Sequence, residues 1–207
     1  MGKFMEVAVK SRNIERVYHF TRVENLDSIL GNGLIPRSEL DRHRHQYQHN
    51  DEERHDFCRN ANCLSIGFPN YKMFWPLRCD NGGDWAVIVY KADILWEFDC
   101  AFCIENAAKA TVSEIPIDSR KGPLAFHRLF FENPSKPSRV AMGLPSYYPT
   151  NPQAEVLVFG VIASRYIISV YVDNNRILQL YQKKWPWFNF ELKTSYFRGR
   201  KDWNHWK

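Results

Sequence analysis

The sequence has no run of 18 apolar residues, and its first residues, Met1 to Val7, lack the apolar core of a signal peptide. Since a transmembrane helix needs about 20 apolar residues, we expect no membrane partner and a cytoplasmic location. No G-x-G-x-x-G segment follows a predicted strand, which disfavours a Rossmann dehydrogenase. Internal repeats and Gly- or Ser-rich linkers are also missing. We therefore expect a monomer with one domain over residues 1–207, long enough to bury a core.

The five cysteines are an odd number, and without an export signal they do not indicate a disulfide framework. Cys100 and Cys103 have C-x-x-C spacing, but a zinc site would need a second close pair at similar spacing. Their apolar neighbours favour a buried strand over residues 100–104 instead. The histidines of the polar segment 37–62 lie among arginines, which would repel a cation, so we expect no bound metal. These histidines are His43, His45, His49 and His55.

Positive charge is concentrated towards the C-terminal end. Between Lys183 and Lys207, seven lysines and arginines stand against two acids, so this segment carries the whole formal excess of +5. The segment is also rich in aromatic residues, and cations with aromatic rings suit the binding of phosphates and unpaired bases. The alternative is that the rings fill the core while the lysines stay in water. Both can hold, because alternate strand residues face opposite ways.

Short strands dominate the predicted secondary structure. The segment 85–90 is apolar throughout, which predicts an interior strand. Further strands are expected at 17–21, 64–68, 100–104, 154–159, 166–172, 188–192 and 196–198. Helical segments are expected near 23–30, 92–96, 124–131 and 174–180, and Pro76 to Gly83 predicts a loop. Many short strands with few long helices indicate an α+β fold.

A polar strand followed by a short helix begins at Val17. Alternation over residues 17–21 predicts the strand, and the apolar residues that follow have the spacing of one helix face. Gly31-Asn32-Gly33 ends this helix, since glycine and asparagine tolerate the left-handed conformation of a helix C-terminus. A strand that carries His19 and Thr21, before a helix that opens near Asn25, suits the binding of a polar ligand at a sheet edge.

A single carboxylate, Glu155, begins an otherwise apolar strand directly after a Pro-rich loop. At the edge of a cleft, such a carboxylate could accept a hydrogen bond from a sugar hydroxyl and stabilise a developing positive charge. The alternative is an exposed acid at the start of a strand, with no role in chemistry.

These two segments resemble known proteins. Tyr18-His19-Phe20-Thr21, Asn25-Leu26, Ile29-Leu30 and Gly33-Leu34 resemble the opening motif of DarT-type DNA ADP-ribosyltransferase toxins, which belong to the ADP-ribosyltransferase superfamily. Gln153-Ala154-Glu155 and the aliphatic residues after it resemble the catalytic-glutamate motif of the same proteins. The two motifs stand in the order that the superfamily uses, and the resemblance covers most of the chain.

The resemblance implies transfer of ADP-ribose from NAD+ and assigns roles to residues. Glu155 and Arg54 would be catalytic, with Glu155 on the nicotinamide ribose and Arg54 paired with the diphosphate as guanidinium to phosphate. Arg44 or Arg59 could replace Arg54 in this role, and Arg54 could also be a surface arginine in a solvated loop. The implied NAD+-binding residues are His19, Thr21, Asn25, Leu26, Tyr71 and Phe74, with Tyr71 or Phe74 stacked on nicotinamide.

The residues proposed for DNA contact come from the loop 37–62 and the basic, aromatic end. They are Arg44, Arg59, Arg198, Arg200, Lys201 and Trp203. The segment Arg200-Lys201-Asp202-Trp203 also resembles the close of DarT-type proteins.

The resemblance implies a split antiparallel β-sandwich of the ADP-ribosyltransferase type, in the α+β class. The expected activity is NAD+-dependent mono-ADP-ribosylation of a base in single-stranded DNA, by a toxin of a toxin–antitoxin pair or a phage-defence effector. The expected partners are single-stranded DNA and an antitoxin that removes the modification. Thymine and guanine are both used in the family, and the segments 54–56 and 68–71 resemble guanine-modifying members. The alternatives are transfer to RNA or protein, or a catalytically idle nucleic-acid-binding module of the same fold.

Overall fold

The computed structural model of the protein describes residues 2–42 and 58–207. Within these ranges the chain forms seven strands: β1 (Arg16–Arg22), β2 (Ala61–Ile66), β3 (Trp85–Lys91), β4 (Cys100–Cys103), β5 (Glu155–Phe159), β6 (Ile167–Val172) and β7 (Phe190–Leu192). The same ranges hold eight α-helices: α1 (Gly2–Lys10), α2 (Leu26–Asn32), α3 (Arg37–Arg42), α4 (Tyr71–Asn81), α5 (Ile94–Glu97), α6 (Ala110–Ser113), α7 (Gly122–Arg128) and α8 (Asn175–Lys184). The α+β class is confirmed.

The strands form one sheet in the order β4-β5-β2-β1-β3-β6-β7. The ladders are antiparallel, as expected, except that β7 runs parallel to β6. The β3 strand lies between β1 and β6 with its residues Trp85 to Tyr90 buried, which confirms the predicted interior strand.

The sheet is split between β1 and β2. These strands pair only through Val17 with Ile66 and Tyr18 with Ser65, whereas β1 pairs with β3 along its whole length. The halves β4-β5-β2 and β1-β3-β6-β7 are therefore joined by a short ladder, which is the arrangement expected of a split sandwich.

One face of both halves is covered by helices. Apolar residues of α1, α2, α5, α7 and α8 pack here in one cluster with alternate residues of the strands, such as Leu64, Ile88 and Val156. Among the residues that the structure describes, no helix is long and apolar enough to cross a membrane.

The opposite face carries two smaller clusters, one on each half of the sheet. The first packs Phe74 of α4 and Phe197 against β1, β3 and β6. The second packs Ala107 and Val112 against β4 and β5. The boundary between these two clusters therefore follows the split of the sheet, and it is here that polar side chains remain.

Two predicted element types are wrong. Residues 76–83 were expected to be a loop, but α4 continues through Pro76 to Asn81. The helix tolerates the proline because other contacts hold it: Phe74 is buried, and Arg78 binds Asp173 at 2.5 Å and the Phe197 carbonyl at 2.6 Å. Residues 196–198 were expected to be a strand, but Thr194–Phe197 forms a 3-10 turn that buries Phe197 against α4.

The predicted burial of the C-x-x-C pair is confirmed. Cys100 and Cys103 lie in β4 with 6% and 1% of their surface exposed, and both are free thiols. Burial raises the pKa of Cys100 to about 12 and that of Cys103 to about 11. Within the described ranges, no group of three or more His, Cys, Asp or Glu side chains is placed to hold a metal ion.

These pKa values predict a selective alkylation pattern. At about pH 8 both buried thiols are protonated and covered, so iodoacetamide should label exposed Cys79 and leave Cys100 and Cys103 unmodified. Peptide mass spectrometry of the folded protein measures this, with protein unfolded in guanidinium as the control in which all five cysteines react. Rapid labelling of Cys103 in the folded protein would contradict the packing of β4.

Candidate active site

Glu155 is the first residue of β5, and its side chain is buried, with only 7% of the residue exposed. Its Oε1 atom accepts a hydrogen bond from Asn70 Nδ2 at 3.1 Å, and its Oε2 atom accepts one from the Ala107 backbone N–H at 2.9 Å. Each oxygen is therefore held in a defined direction. The alternative of an exposed acid at the strand start is wrong.

The strand register places Glu155 at the split of the sheet. Glu155 pairs with Cys103 of β4, and the neighbouring pair Val156–Leu64 puts Ser65 of β2 next to it on the other side. Ser65 in turn pairs with Tyr18 of β1. Glu155 thus lies between the two apolar clusters of this face, two strands from β1.

His19 lies where β1 and β2 separate. It is the first residue of β1 after the last β1–β2 pair, and its Nδ1 atom is 3.0 Å from the carbonyl oxygen of Cys63 in β2. The histidine therefore spans the opening between the two halves of the sheet. The structure places His19 and Glu155 on strands either side of β2, near the point where β1 and β2 separate.

Thr21 and Asn25 contact each other at the other end of β1. Asn25 Nδ2 donates to Thr21 Oγ1 at 3.1 Å, so the two polar side chains form one unit at the start of α2. Leu26, the next residue, is 0% exposed in the main core. Leu26 therefore supports the helix from inside, and its predicted contact with NAD+ is corrected to a core role.

The two candidates for stacking on nicotinamide differ. Phe74 is 1% exposed and is covered by Phe20, whose ring stacks on it at a centroid distance of 4.6 Å. With Trp85 and Phe197 also against it, Phe74 presents no free face, so this prediction is corrected. Tyr71 is 9% exposed, its hydroxyl has no hydrogen-bond partner among residues 2–42 and 58–207, and burial raises its pKa to about 12.

Asn70 is a residue of the site that sequence reasoning missed. It precedes α4 and caps it, since its Oδ1 atom accepts from the Met73 backbone N–H at 3.2 Å. Its Nδ2 atom binds Glu155, and its own backbone N–H donates to Ser65 Oγ at 3.2 Å. The sequence feature that could have indicated Asn70 is its position directly before the helix α4, where asparagine is a preferred cap.

We expect Asn70→Ala to slow any reaction that depends on the Glu155 carboxylate about tenfold or more, because it frees one oxygen of Glu155 besides removing a helix cap worth about 1 kcal/mol. Asn174→Ala is the matched control: Asn174 caps α8 through Ile177 N–H at 2.9 Å and binds a carboxylate, Asp84, that lies elsewhere. Thermal unfolding should show similar destabilisation of both variants. Initial rates should fall only in Asn70→Ala. Equal activity of the two would remove Asn70 from the site.

A buried cation, Arg120, lies beside the pair formed by Glu155 and Cys103. Arg120 is 6% exposed, and its Nη1 atom is 3.5 Å from Cys103 Sγ. The pKa of the Cys103 thiol is raised chiefly by burial, and Arg120 opposes this effect. This arginine follows no motif in the sequence and was not predicted.

The residues proposed for DNA contact divide into two groups. Arg59, Arg198 and Lys201 are exposed, and Trp203 is 50% exposed, so all four can be reached from solution. Arg200 is 3% exposed and binds Asp202 through Nε at 2.6 Å and Nη2 at 2.7 Å. Its predicted DNA contact is corrected to a role inside the fold. Arg44, Arg54 and the four histidines of segment 37–62 lie outside the described residues.

The aromatic residues of the C-terminal segment are also divided. Phe190, Phe197 and Trp206 are buried, as the core interpretation predicts, whereas Trp187 is 71% exposed. Phe197 packs beside α4 and Phe190 packs against α8 in the main core, while Trp187 and Trp203 lie at the surface. The core interpretation is confirmed for the buried rings, and nucleic-acid contact stays a prediction for the exposed ones.

The fold is that of DarT proteins of known structure. Thermosipho africanus DarTG in complex with ADP-ribose has a similar structure, with a TM-score of 0.63, 18% identity, and coverage of 88% of this chain and 51% of that chain. This chain thus spans about half of that protein. Thermus sp. 2.9 DarT in complex with NAD+ has a TM-score of 0.58 at 12% identity, covering 89% and 98% of the two chains. The same protein in complex with ADP-ribosylated ssDNA has a TM-score of 0.54 at 12% identity, covering 90% and 97%.

The family follows from the sequence. Residues 18–203 match the model of the family described as "ssDNA thymidine ADP-ribosyltransferase, DarT", so the chain belongs to the DarT family. No curated protein sequence matches the chain. At 12–18% identity the structural likenesses show the shared fold. The residues matched by the family model include both the motif around His19 and the motif around Glu155.

Proposed function

We propose that the protein transfers one ADP-ribose from NAD+ to a nucleobase of single-stranded DNA. A base nitrogen attacks C1′ of the nicotinamide ribose, the C1′–nicotinamide bond breaks, and nicotinamide leaves with the bonding electrons. The proton of the attacking nitrogen passes to Glu155. The nucleophile comes from the DNA, so the protein needs to supply binding, orientation and charge.

The observation that carries this proposal is the placement of Glu155. A buried carboxylate with both oxygens oriented by hydrogen bonds is a fixed negative charge in a region of low dielectric constant. It suits both a ribose hydroxyl and the oxocarbenium-like charge that develops at C1′. Its position on β5 places it two strands from the polar side chains of β1, which are the proposed partners of NAD+.

The remaining roles in NAD+ binding follow from the family resemblance. His19 and the Thr21–Asn25 pair bind sugar and amide groups of NAD+, and Arg54 pairs with the diphosphate. Tyr71 adjoins Asn70 and is the remaining candidate for contact with nicotinamide, since Phe74 is covered. The donors and acceptors of this set fit the ribose hydroxyls and the carboxamide.

The substrate and partner follow from the family. The family description names single-stranded DNA and thymidine, and a Thermus relative is titled as a complex with ADP-ribosylated ssDNA. The resemblance of segments 54–56 and 68–71 favours guanine, so both bases belong in the test. The DarTG relative supports a paired antitoxin that removes the modification, and we propose that this protein is the toxin of such a pair, acting in the cytoplasm.

Mass spectrometry of oligonucleotides tests the proposal. Mixed-sequence single-stranded DNA is incubated with the protein and NAD+, beside RNA of the same sequence and a protein extract, with Glu155→Gln as the control. One ADP-ribose added to DNA, and absent with the variant, is the expected result. Fragment masses then identify the base as thymine or guanine.

Three other outcomes are distinct. An adduct on RNA or protein, with none on DNA, keeps the chemistry and overturns the DNA substrate. DNA binding without consumption of NAD+ would support the catalytically idle module instead. A protein that neither binds nor consumes NAD+ overturns the proposed activity entirely.

A further inference from the structure

A second concave site lies on the same face of the sheet as Glu155, at the start of β1. It is a cavity of about 380 Å³ between the turn after α1, the loop before β5 and the C-terminal segment. Four tyrosines line it together with one arginine and one acid: Tyr18, Tyr147, Tyr148, Tyr196, Arg16 and Glu15. We call this site the tyrosine pocket.

The tyrosine pocket lies close to Glu155. Tyr18 pairs with Ser65, and Ser65 stands next to Glu155 across β2, so Tyr18 is two strands away, or about 10 Å between Cα atoms. A second link is Gly67, which lines the pocket and is three residues before Asn70, the partner of Glu155. The pocket and the proposed catalytic carboxylate therefore adjoin along one face of the protein.

The chemistry of the pocket suits an unpaired nucleobase. Its aromatic surface includes Tyr147, which is 39% exposed and meets Tyr148 edge to face at 5.0 Å. Base-stacking on such rings is tolerant of sequence and stronger when a cation lies nearby. Arg16 is exposed and offers this cation to a phosphate, while the Glu15 carboxylate is an acceptor for the amino group of a base.

The pocket is built before any ligand arrives. Tyr196 stacks with Tyr18 and with Phe68, each at a centroid distance of 5.3 Å. Arg16 Nη1 donates to Tyr171 Oη at 3.2 Å. Gly67 has φ +76°, and a Cβ at this position would lie 2.5 Å from the Tyr148 ring, so the backbone touches the wall of the pocket. A preformed site loses little entropy on binding.

The geometry points to a role in DNA binding: we propose that the tyrosine pocket binds a nucleobase that flanks the modified one in the single-stranded DNA. The inference rests on the proposed function and deepens it, because it assigns contact with a flanking base of the DNA to residues outside the NAD+ site.

Abasic scanning tests this inference. A DNA oligonucleotide with one modifiable base is prepared in versions that each lack one flanking base, and equilibrium affinity and initial rate are measured. For the unaltered protein, one flanking position should show a loss of affinity of about 5- to 150-fold, the range for one stacked base. The affinity of Tyr147→Ala for intact DNA should be lower by a similar factor. Removal of the same flanking base should then cause no further loss of affinity in this variant.

The controls separate the pocket from the fold and from the activity. Phe4→Ala removes an aromatic ring that is 75% exposed on α1 and does not line the pocket, so its abasic profile should match that of the unaltered protein. Arg16→Gln should weaken the binding of every oligonucleotide in the series, whichever base is missing, and should reduce the salt dependence of that binding, since it removes a partner of a DNA phosphate. Circular dichroism and NAD+ binding should be unchanged in all three variants.

Two results would overturn the inference in different ways. If intact DNA is modified but Tyr147→Ala keeps the abasic profile of the unaltered protein, the pocket does not hold a base and the proposed function stands. If the unaltered protein neither binds nor modifies intact DNA, the proposed function fails and the pocket inference fails with it.

Discussion

Glu155→Gln is expected to lower the rate of ADP-ribosyl transfer by about 100- to 10,000-fold, the range found when a charged group that acts on the transition state or its proton is removed. Glutamine has the same shape but no charge, so it can neither stabilise the oxocarbenium-like C1′ nor accept the proton of the base. Both Asn70 Nδ2 and the Ala107 N–H donate to Glu155, and an amide must present its own NH2 group to one of them. The variant therefore also leaves one donor unsatisfied, at a cost of about 1–3 kcal/mol.

Initial rates at saturating NAD+ and DNA, with the melting temperature of each variant, measure this effect. Glu105→Gln is the matched control, because Glu105 lies two residues before Ala107 and its carboxylate binds Lys109 at 2.6 Å on the surface. We expect its rate to stay within about twofold of the unaltered protein, as for a surface substitution. A folded Glu155→Gln protein with a nearly unchanged rate would show that the reaction does not depend on this carboxylate.

Arg200→Ala is expected to lower the free energy of unfolding by about 3–5 kcal/mol, because it leaves the Asp202 carboxylate buried without its cation. The side chains of Arg200 and Asp202 are 3% and 0% exposed. Arg200 also donates to the carbonyls of Pro149 and Thr150 at 2.9 and 3.0 Å, and Asp202 accepts from Trp206 Nε1 at 2.8 Å. The pair thus ties the C-terminal segment to the loop before Glu155.

Thermal and denaturant unfolding measure this loss, which corresponds to a fall in melting temperature of about 6–20 °C for a domain of this size. Lys201→Ala is the control: Lys201 is the neighbouring residue and is exposed, so its stability should change by no more than about 0.5 kcal/mol. If Arg200→Ala instead keeps full stability and loses affinity for DNA, the original assignment of Arg200 to DNA contact is restored.

Local pattern was enough for much of the fold and for part of the site. The alternation in β1, the apolar run of β3 and the burial of β4 depend on neighbouring residues, so they could be predicted from short segments. Glu155 could be found because it is the one carboxylate of an apolar strand, and His19 because it belongs to the motif Tyr18-His19-Phe20-Thr21. The pairing of β7 with β6 could not, since strand direction depends on residues far apart in the chain.

The sequence by itself thus determined the strand content, the α+β class, the family motifs and the two residues at the split of the sheet. Only the tertiary structure decided which side chains are covered and which are held in place. Phe74 and Arg200 are removed from solution by Phe197 and by Thr150, partners more than 40 residues away. Asn70 joins Glu155 across 85 residues in the same way. Burial and orientation arise from such distant contacts, which no local pattern encodes.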